Sequence, residues 1–311
     1  MTHTFKGRDI ISIHDFSREE IEHILKVSKD MIPAARGEKR NLSLEGKILS
    51  TIFFEPSTRT RLSFEAAMNR LGGSVVGFSD PEITSLKKGE TLADTIRMVE
   101  SYSDVIVLRH PMEGAAKLAA DFTEKPVINA GDGAGQHPTQ TLLDLFTIWT
   151  EKKDIEDKNV VLLGDLKYGR TVHSLAYALA MFGANLTFVA PEILQMPKEV
   201  VEHVERQGGS YTSTNALEEA IESADVLYVT RIQRERFPDP AEYEKVAGMY
   251  RVDNEILTNA SKDIIVMHPL PRVTEISPEV DTTEHAIYFK QAFNGVPVRM
   301  ALLALIFDVV K

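Results

Sequence analysis

Cysteine is absent from the sequence. This absence excludes disulfide bonds, thiolate metal ligands and a cysteine nucleophile within the chain. Basic residues are in the minority, because 35 Lys and Arg stand against 46 Asp and Glu and give a formal net charge of −11. An acidic excess of this size disfavours nucleic acid as a partner. An anionic small substrate would need a local cluster of basic side chains that acts against the overall field.

Long apolar runs are absent too. No stretch reaches the roughly 20 apolar residues that cross a membrane, and the opening residues MTHTFK lack the apolar core of a signal peptide. We therefore expect a soluble, cytoplasmic protein without a membrane partner. The 311 residues, 43% of them hydrophobic, suffice for two domains that each bury a core.

Short apolar strands and helical patterns alternate along nearly the whole chain. This alternation predicts parallel sheets that are covered by helices on both faces. A helix predicted over 138–149 separates two series of four strands, and its apolar face indicates a rigid connection. A final apolar helix is predicted over 298–310. The predicted strands are 49–54, 74–78, 104–108 and 126–129 in the first half, and 160–163, 186–190, 226–230 and 264–267 in the second.

The run FFEPSTRTR, residues 53–61, joins a predicted strand to a predicted helix and places two arginines at the helix start. A helix N-terminus leaves backbone N–H groups unpaired at the positive end of the helix dipole, where an arginine is disfavoured unless an anion neutralises it. Hydroxyls, N–H groups and a guanidinium together form a site that suits phosphate. The alternative is that Ser57 or Thr58 only caps the helix while the arginines project into solvent.

A second loop, residues 130–140, contains three alternating glycines before a helix. A dinucleotide-binding fingerprint needs a further glycine three residues after the second one, and Gln136 stands there instead. We therefore expect the glycines to let the backbone turn sharply and to bring His137 and Gln140 to one point. Pro138 suits the first position of the helix that follows.

Arginines recur just beyond predicted strand ends, and they are Arg59, Arg109, Arg170 and Arg231. In open α/β sheets, ligands bind beyond the carboxyl ends of the strands. Two arginine clusters on two domains indicate two anionic substrates brought together. Metal-ligand spacing, a P-loop and a nucleophile elbow are all missing, which favours group transfer by positioning and charge stabilisation. The alternative is that the four arginines are solvated or form surface salt bridges.

Six segments resemble, in the same order along the chain, the catalytic chains of the aspartate carbamoyltransferase family. They are residues 57–61, 85–90, 137–140, 165–170, 231–233 and 268–271. Ornithine carbamoyltransferases are similar in the first half, but they carry a cysteine in the segment that corresponds to 268–271, and this chain has none. Arg170 and Arg231 also suit the two carboxylates of aspartate and would repel the ammonium group of ornithine.

The resemblance implies an α/β fold of two doubly wound domains, each with a central parallel sheet flanked by helices. Residues 1–137 plus 292–311 would bind carbamoyl phosphate, and residues 138–291 would bind L-aspartate. The implied activity transfers the carbamoyl group to the aspartate amine in de novo pyrimidine biosynthesis, with no cofactor and no bound metal. The implied partners are the two substrates and two further copies of the chain in a homotrimer. A separate zinc-containing regulatory chain is left open.

The resemblance also assigns roles to individual residues. The phosphate would be held by Ser57, Thr58, Arg59 and Thr60. The catalytic residues that stabilise the leaving phosphate and the carbonyl oxygen would be Arg59, Thr60, Arg109 and His137. The carbamoyl amide would be held by Gln140 and the backbone carbonyl of Leu270, and aspartate by Arg170, Arg231 and Gln233. Pro269 would be a further substrate-binding residue.

Two further roles concern shared active sites and domain closure. Ser85 and Lys88 would reach the active site of a neighbouring subunit, although the length of this loop leaves Lys87 as an alternative to Lys88. Glu55 would pair with Arg170 and Arg236 in the closed state. Two other functions stay open: a two-domain protein that binds an anion without chemistry, and a carbamoyltransferase that uses another amino acid.

Overall fold

The computed structural model of the chain describes residues 4–80, 88–234, 237 and 239–310. The chain forms two compact units, which are Met1–Phe146 together with Phe293–Lys311, and Thr147–Ala292. Both divisions fall inside long helices, since α5 spans Pro138–Lys152 and α11 spans Tyr288–Ile306. No helix in the described ranges combines the length and the apolar character that crossing a membrane requires.

The first unit contains a four-stranded parallel sheet with the strand order β2-β1-β3-β4. Apolar residues on both sides of this sheet are buried, with Ile52, Ile106 and Val127 on one face and Val107 and Ile128 on the other, as expected for parallel strands covered by helices. Its strands are β1 (Ile48–Phe53), β2 (Ser74–Phe78), β3 (Val105–His110) and β4 (Val127–Asp132). Its complete helices are α1 (Arg18–Ala35), α2 (Thr58–Arg70), α3 (Leu92–Glu100) and α4 (Ala115–Ala120).

The second unit contains a five-stranded parallel sheet with the strand order β7-β6-β5-β8-β9. Its strands are β5 (Asn159–Leu163), β6 (Asn185–Val189), β7 (Ser210–Thr214), β8 (Val226–Val229) and β9 (Ile265–Met267). Its complete helices are α6 (Arg170–Met181), α7 (Lys198–Arg206), α8 (Leu217–Ile221), α9 (Pro240–Val246) and α10 (Asn254–Thr258). Together the two sheets confirm the predicted fold class of two doubly wound α/β domains.

Two predictions about individual elements were wrong. The sequence predicted four strands in the second half, but β7 adds a fifth at the edge of the sheet, where its polar residues Ser210–Thr214 are mostly exposed and give no apolar signal. The last helix begins at Tyr288 and ends at Ile306, whereas 298–310 was predicted. Gly295 and Pro297 lie inside it and interrupt the helical pattern of the sequence.

The strand order explains why arginines follow particular strands. In the first unit, β2 and β3 lie on opposite sides of β1, so the direction of winding reverses between β1 and β3. In the second unit, it reverses between β5 and β8 for the same reason. Such switch points open a crevice at the carboxyl ends of the strands, where ligands bind. Arg109 at the end of β3 and the arginine-bearing segments after β1, β5 and β8 all lie at these two points.

Candidate active site

The turn between β1 and α2 presents a helix N-terminus at the first switch point. The helix begins at Thr58, and the extended residue before it, Ser57, makes no side-chain capping hydrogen bond. Thr60 is buried at 8% exposure, and its backbone carbonyl accepts a hydrogen bond from the hydroxyl of Ser63 (3.0 Å). The side chain of Ser57 therefore does not cap the helix, which removes that part of the capping alternative.

The two arginines of this turn differ in their surroundings. Arg61 forms an ion pair with Glu65 one helical turn later, at 2.7 Å between Nε and Oε1. Arg59 makes no ion pair among the residues that the structure describes. Arg59 is exposed as a residue, but partial burial of its guanidinium lowers the pKa of that group, so that its positive charge is less well solvated than in water. A bound anion at this position would restore the lost stabilisation.

Arg109 lies at the end of β3, beside the end of β1. The backbone N–H of Phe54 donates to the carbonyl of Arg109 (2.8 Å), which joins the two strand ends. The Arg109 side chain is only 16% exposed, and its Nη1 donates to the carbonyl of Ala130 in the second half of β4 (3.0 Å). Its Nε lies 3.5 Å from Oε2 of Glu55. The guanidinium is thus held at the carboxyl edge of the first sheet.

Glu55 was predicted to pair with Arg170 and Arg236. In the structure, its carboxylate lies against Arg109 of its own unit. Arg170 belongs to the other compact unit, and Arg236 lies outside the described residues. The predicted closure pairing therefore stays a prediction.

His137 and Gln140 lie at the start of α5. Pro138 is the first helical residue, as predicted, and the carbonyl of His137 accepts hydrogen bonds from the backbone N–H groups of Gln140 (2.9 Å) and Thr141 (3.3 Å). The His137 side chain is buried at 5% exposure. Nε2 of Gln140 donates to Oδ1 of Asp144 (2.9 Å), which leaves the amide oxygen of Gln140 as a hydrogen-bond acceptor.

Arg170 and Arg231 lie at the switch point of the second unit. Arg170 begins α6 and is 8% exposed, and the turn before it is held by Oδ1 of the buried Asp165, which accepts from the backbone N–H of Tyr168 (2.9 Å). Arg231 follows β8, and its Nη2 is 3.5 Å from Oε1 of Gln233. The buried Arg170 guanidinium and the Arg231–Gln233 pair thus follow two neighbouring strands, β5 and β8.

The ends of β5 and β8 approach each other very closely before these residues. Gly164 has φ +118°, and a Cβ atom there would lie 2.3 Å from the carbonyl oxygen of Thr230. The hydroxyl of Thr230 in turn donates to the carbonyl of Leu163 (3.0 Å). Glycine is therefore required at the first position of the turn that leads to Arg170.

The loop after β9 is organised by a buried histidine that sequence reasoning did not interpret. His268 is 2% exposed; its Nδ1 accepts from the backbone N–H of Leu270 (2.7 Å) and its Nε2 is 2.8 Å from Oε1 of Glu275. Because Nδ1 is the acceptor, the proton lies on Nε2 and is donated to the carboxylate. Burial lowers the pKa of His268 despite the neighbouring Glu275, so the neutral ring is favoured.

Glu275 has its second oxygen engaged as well, because Oε2 accepts from the backbone N–H groups of Val273 (3.1 Å) and Thr274 (3.0 Å). The pKa of Glu275 is lowered: burial acts to raise it, but the hydrogen bonds from His268 and the backbone outweigh that effect. The backbone of Leu270, at φ +53°, is thus fixed by a chain of hydrogen bonds through His268 to Glu275. Short-range sequence patterns carry no signal for Glu275, since its partners depend on how the loop folds.

The remaining predicted residues are only partly described. Lys88 is exposed in a short turn. Ser85 and Lys87 lie outside the described residues. Within the first unit, the structure therefore brings the 57–60 turn, Arg109 and the start of α5 to one sheet edge. Within the second unit, it places Arg170, Arg231, Gln233 and the 269–270 loop after the carboxyl ends of β5, β8 and β9.

Two family models match the chain. Residues 8–150 match the model described as "Aspartate/ornithine carbamoyltransferase, carbamoyl-P binding domain", and residues 156–306 match "Aspartate/ornithine carbamoyltransferase, Asp/Orn binding domain". Among curated proteins, the aspartate carbamoyltransferase catalytic subunit of Methanocella arvoryzae is 59% identical over 306 residues, which cover 98% of this chain and 99% of that protein. The corresponding subunit of Thermococcus kodakarensis is 62% identical over 302 residues, with 97% of each chain covered.

Solved structures show the same likeness. The catalytic subunit of the M. jannaschii aspartate transcarbamoylase has a TM-score of 0.91 and 50% sequence identity, with 97% of this chain and 98% of that chain covered. The aspartate transcarbamoylase of Trypanosoma cruzi in complex with carbamoyl phosphate and aspartate has a TM-score of 0.92 and 43% identity, with 96% of each chain covered.

Proposed function

The chain belongs to the aspartate/ornithine carbamoyltransferase family, and we propose that it transfers the carbamoyl group of carbamoyl phosphate to the amine of L-aspartate. The products are N-carbamoyl-L-aspartate and phosphate, in the pathway of de novo pyrimidine biosynthesis. The observation that carries this proposal is the pair of Arg170 and Arg231 at the switch point of the second unit. Two cations suit an acceptor with two carboxylates and oppose one with a second ammonium group.

The first unit supplies the site for carbamoyl phosphate. The N-terminus of α2 offers backbone N–H groups and hydroxyls to the phosphate, and Arg59 adds a positive charge that no carboxylate of the described chain neutralises. Arg109, held by the carbonyl of Ala130, lies at the neighbouring strand end. It can donate both to a phosphate oxygen and to the carbonyl oxygen of the substrate.

Charge develops on the carbonyl oxygen when the amine attacks. The nitrogen forms a bond to the carbamoyl carbon, and the C=O electron pair moves onto the oxygen. That pair then re-forms the C=O bond while the C–O bond to phosphate breaks, and the electrons of the broken bond go to the leaving phosphate. The amine proton leaves with the phosphate. Donors that can stabilise the oxyanion are Thr60, Arg109 and His137. Removing one such donor typically costs about a hundredfold to a thousandfold in turnover.

The carbamoyl amide needs hydrogen-bond acceptors for its N–H groups. The amide oxygen of Gln140 is available because its Nε2 donates to Asp144. The backbone carbonyls of Pro269 and Leu270 are the other acceptors that we assign, and the bond from Leu270 N–H to His268 fixes the backbone of this segment. Aspartate binds to Arg170, Arg231 and Gln233. No covalent intermediate is required.

Each of the two substrates is assigned to one part of the chain. Residues 1–137 plus 292–311 bind carbamoyl phosphate and residues 138–291 bind aspartate; the first compact unit extends further along α5, to Phe146. A homotrimer in which Ser85 and Lys88 complete a neighbouring site, closure through Glu55, and a cytoplasmic location are parts of the same proposal. A zinc-containing regulatory chain stays open.

An acceptor panel tests the proposed function. Purified chain is given carbamoyl phosphate with L-aspartate, L-ornithine, other amino acids or no acceptor, and phosphate release is followed. We expect release with aspartate alone. Release with another amino acid would support the second candidate function, and saturable binding of carbamoyl phosphate without release in any mixture would support a binding protein.

A further inference from the structure

Asp132 is the last residue of β4 and carries a buried carboxylate that sequence reasoning did not single out. It is 4% exposed. Oδ1 accepts hydrogen bonds from Nδ2 of Asn129 (3.0 Å) and from the backbone N–H of Gln136 (2.7 Å). Oδ2 accepts from the backbone N–H of Gly114 (2.9 Å). One side chain therefore holds three segments of the first unit together.

Two of the alternating glycines make these bonds possible. Gly133 has φ +53°, and a Cβ atom on it would lie 2.3 Å from the carbonyl oxygen of Pro111. A Cβ atom on Gly135 would lie 2.7 Å from Oδ1 of Asp132. The backbone N–H of Gly133 also donates to the carbonyl of His110 (2.9 Å). The glycine pattern thus lets the loop fold down onto Asp132 and onto the segment that follows β3.

The segments joined by Asp132 are the ones that carry two of the proposed oxyanion donors. Gln136 directly precedes His137, and Gly114 follows Arg109 by five residues. The register between β3 and β4 shifts between Leu108 and His110, so that His110 pairs with Asp132. Beyond this shift, regular strand pairing does not by itself define the distance between the loop before His137 and the loop after Arg109.

We propose that Asp132 is a positioning residue, which fixes His137 relative to Arg109 by tying the loop before the histidine to the loop after the arginine. This inference rests on the proposed function, from which it takes the roles of those two residues. Asp132 itself touches no substrate in this account. Its contribution is to keep two donors at the separation that one oxyanion requires.

A carboxylate is needed because all three partners are donors. Two acceptor oxygens satisfy Asn129, Gln136 and Gly114 at once. An asparagine in the same place has one acceptor oxygen and one NH₂ group, so one of the N–H donors would face another donor. Asp132→Asn is therefore nearly isosteric but cannot keep the three bonds.

The test compares Asp132→Asn with Asp9→Asn. Asp9 is a matched control because its Oδ1 accepts from the backbone N–H of Val127 (2.8 Å) at the opposite end of the same strand. Turnover with carbamoyl phosphate and L-aspartate and the affinity for inorganic phosphate are measured for each variant. We expect turnover to fall about 10- to 100-fold in Asp132→Asn, since displacing a catalytic group by about 1 Å can cost a hundredfold. Phosphate affinity should stay within about threefold, because the 57–60 turn is untouched and Arg109 is still held by the carbonyl of Ala130. Asp9→Asn should match the parent in both measurements.

The outcomes separate the two claims. A parent chain without turnover would overturn the proposed function and this inference together. An active parent with an equally active Asp132→Asn would overturn the inference alone, as would a loss of phosphate affinity in proportion to turnover. If Asp132→Asn does not fold, Gly135→Ala replaces it, since the added methyl group pushes on Oδ1 of Asp132. Turnover of Gly135→Ala equal to that of the parent would then overturn the inference.

Discussion

Replacing Glu275 with glutamine should disrupt the loop after β9 through its hydrogen bonds alone. The side chain keeps its size, but one of its two acceptor oxygens becomes an NH₂ group. Oε1 accepts from His268 and Oε2 accepts from two backbone N–H groups in the structure. A glutamine that keeps the two backbone bonds turns its NH₂ toward Nε2–H of His268. If the ring then changes tautomer, Nδ1–H faces the N–H of Leu270.

Either arrangement leaves one buried donor unsatisfied, and the cost of that donor determines how much stability the variant loses. His268 is 2% exposed, so water cannot replace the lost acceptor. An unsatisfied buried donor costs about 1–3 kcal/mol, and we expect Glu275→Gln to lower the free energy of unfolding of the second unit by that amount. The Michaelis constant for carbamoyl phosphate should rise, because the backbone of Leu270 loses its anchor.

Urea denaturation followed by tryptophan fluorescence is the assay. The single tryptophan, Trp149, lies in the second unit and reports on its unfolding. Glu279→Gln is the control, because Oε1 of Glu279 accepts only a more exposed bond from the backbone N–H of Asn254 (3.2 Å); it should change stability by less than about 0.5 kcal/mol. A Glu275→Gln variant as stable as this control would refute the hydrogen-bond reasoning.

Three further predictions concern charge. Arg59→Ala should lower turnover at least about a hundredfold while the circular dichroism spectrum is kept, whereas Arg61→Ala should lose far less; equal losses would remove Arg59 from the phosphate site. Arg231→Ala should weaken the apparent affinity for aspartate about ten- to a hundredfold in steady-state kinetics, from the loss of one charge-assisted hydrogen bond, and should change the affinity for carbamoyl phosphate little. The control variant Arg234→Ala should change neither affinity much. Burial lowers the pKa of His268, so that below about pH 6.5 the unfolded chain takes up a proton that the folded ring resists. The free energy of unfolding should therefore fall as the pH drops below that value, by at most about 1.4 kcal/mol per pH unit. His268→Asn should flatten this dependence in denaturation series, and an unchanged slope would contradict it.

Local patterns were enough to predict the fold class and most of the first sheet. Buried parallel strands give short apolar runs, and the four strands of the first unit lie within a few residues of those predicted. Edge strand β7 has no such run, because its side chains face solvent on an open edge. It could be predicted only from its pairing with β6, which is a long-range contact.

The candidate site residues likewise include some that local sequence patterns predicted and some that they missed. Arg59, Arg109, Arg170 and Arg231 were found because each lies close to the end of a predicted strand, and position near a strand end is a local property. Asp132 and Glu275 were missed because each acts by accepting hydrogen bonds from segments that meet only in the folded chain. A single carboxylate in a sequence does not reveal how many donors will surround it.

The most direct test of the central claim follows the carbamoyl carbon itself. Purified chain is incubated with carbamoyl phosphate labelled with ¹³C in the carbonyl group and with L-aspartate, and the products are observed by NMR. We predict that the label appears in N-carbamoyl-L-aspartate, with one phosphate released for each molecule formed. Label that stays in carbamoyl phosphate, or that appears only in its hydrolysis products, would contradict the account.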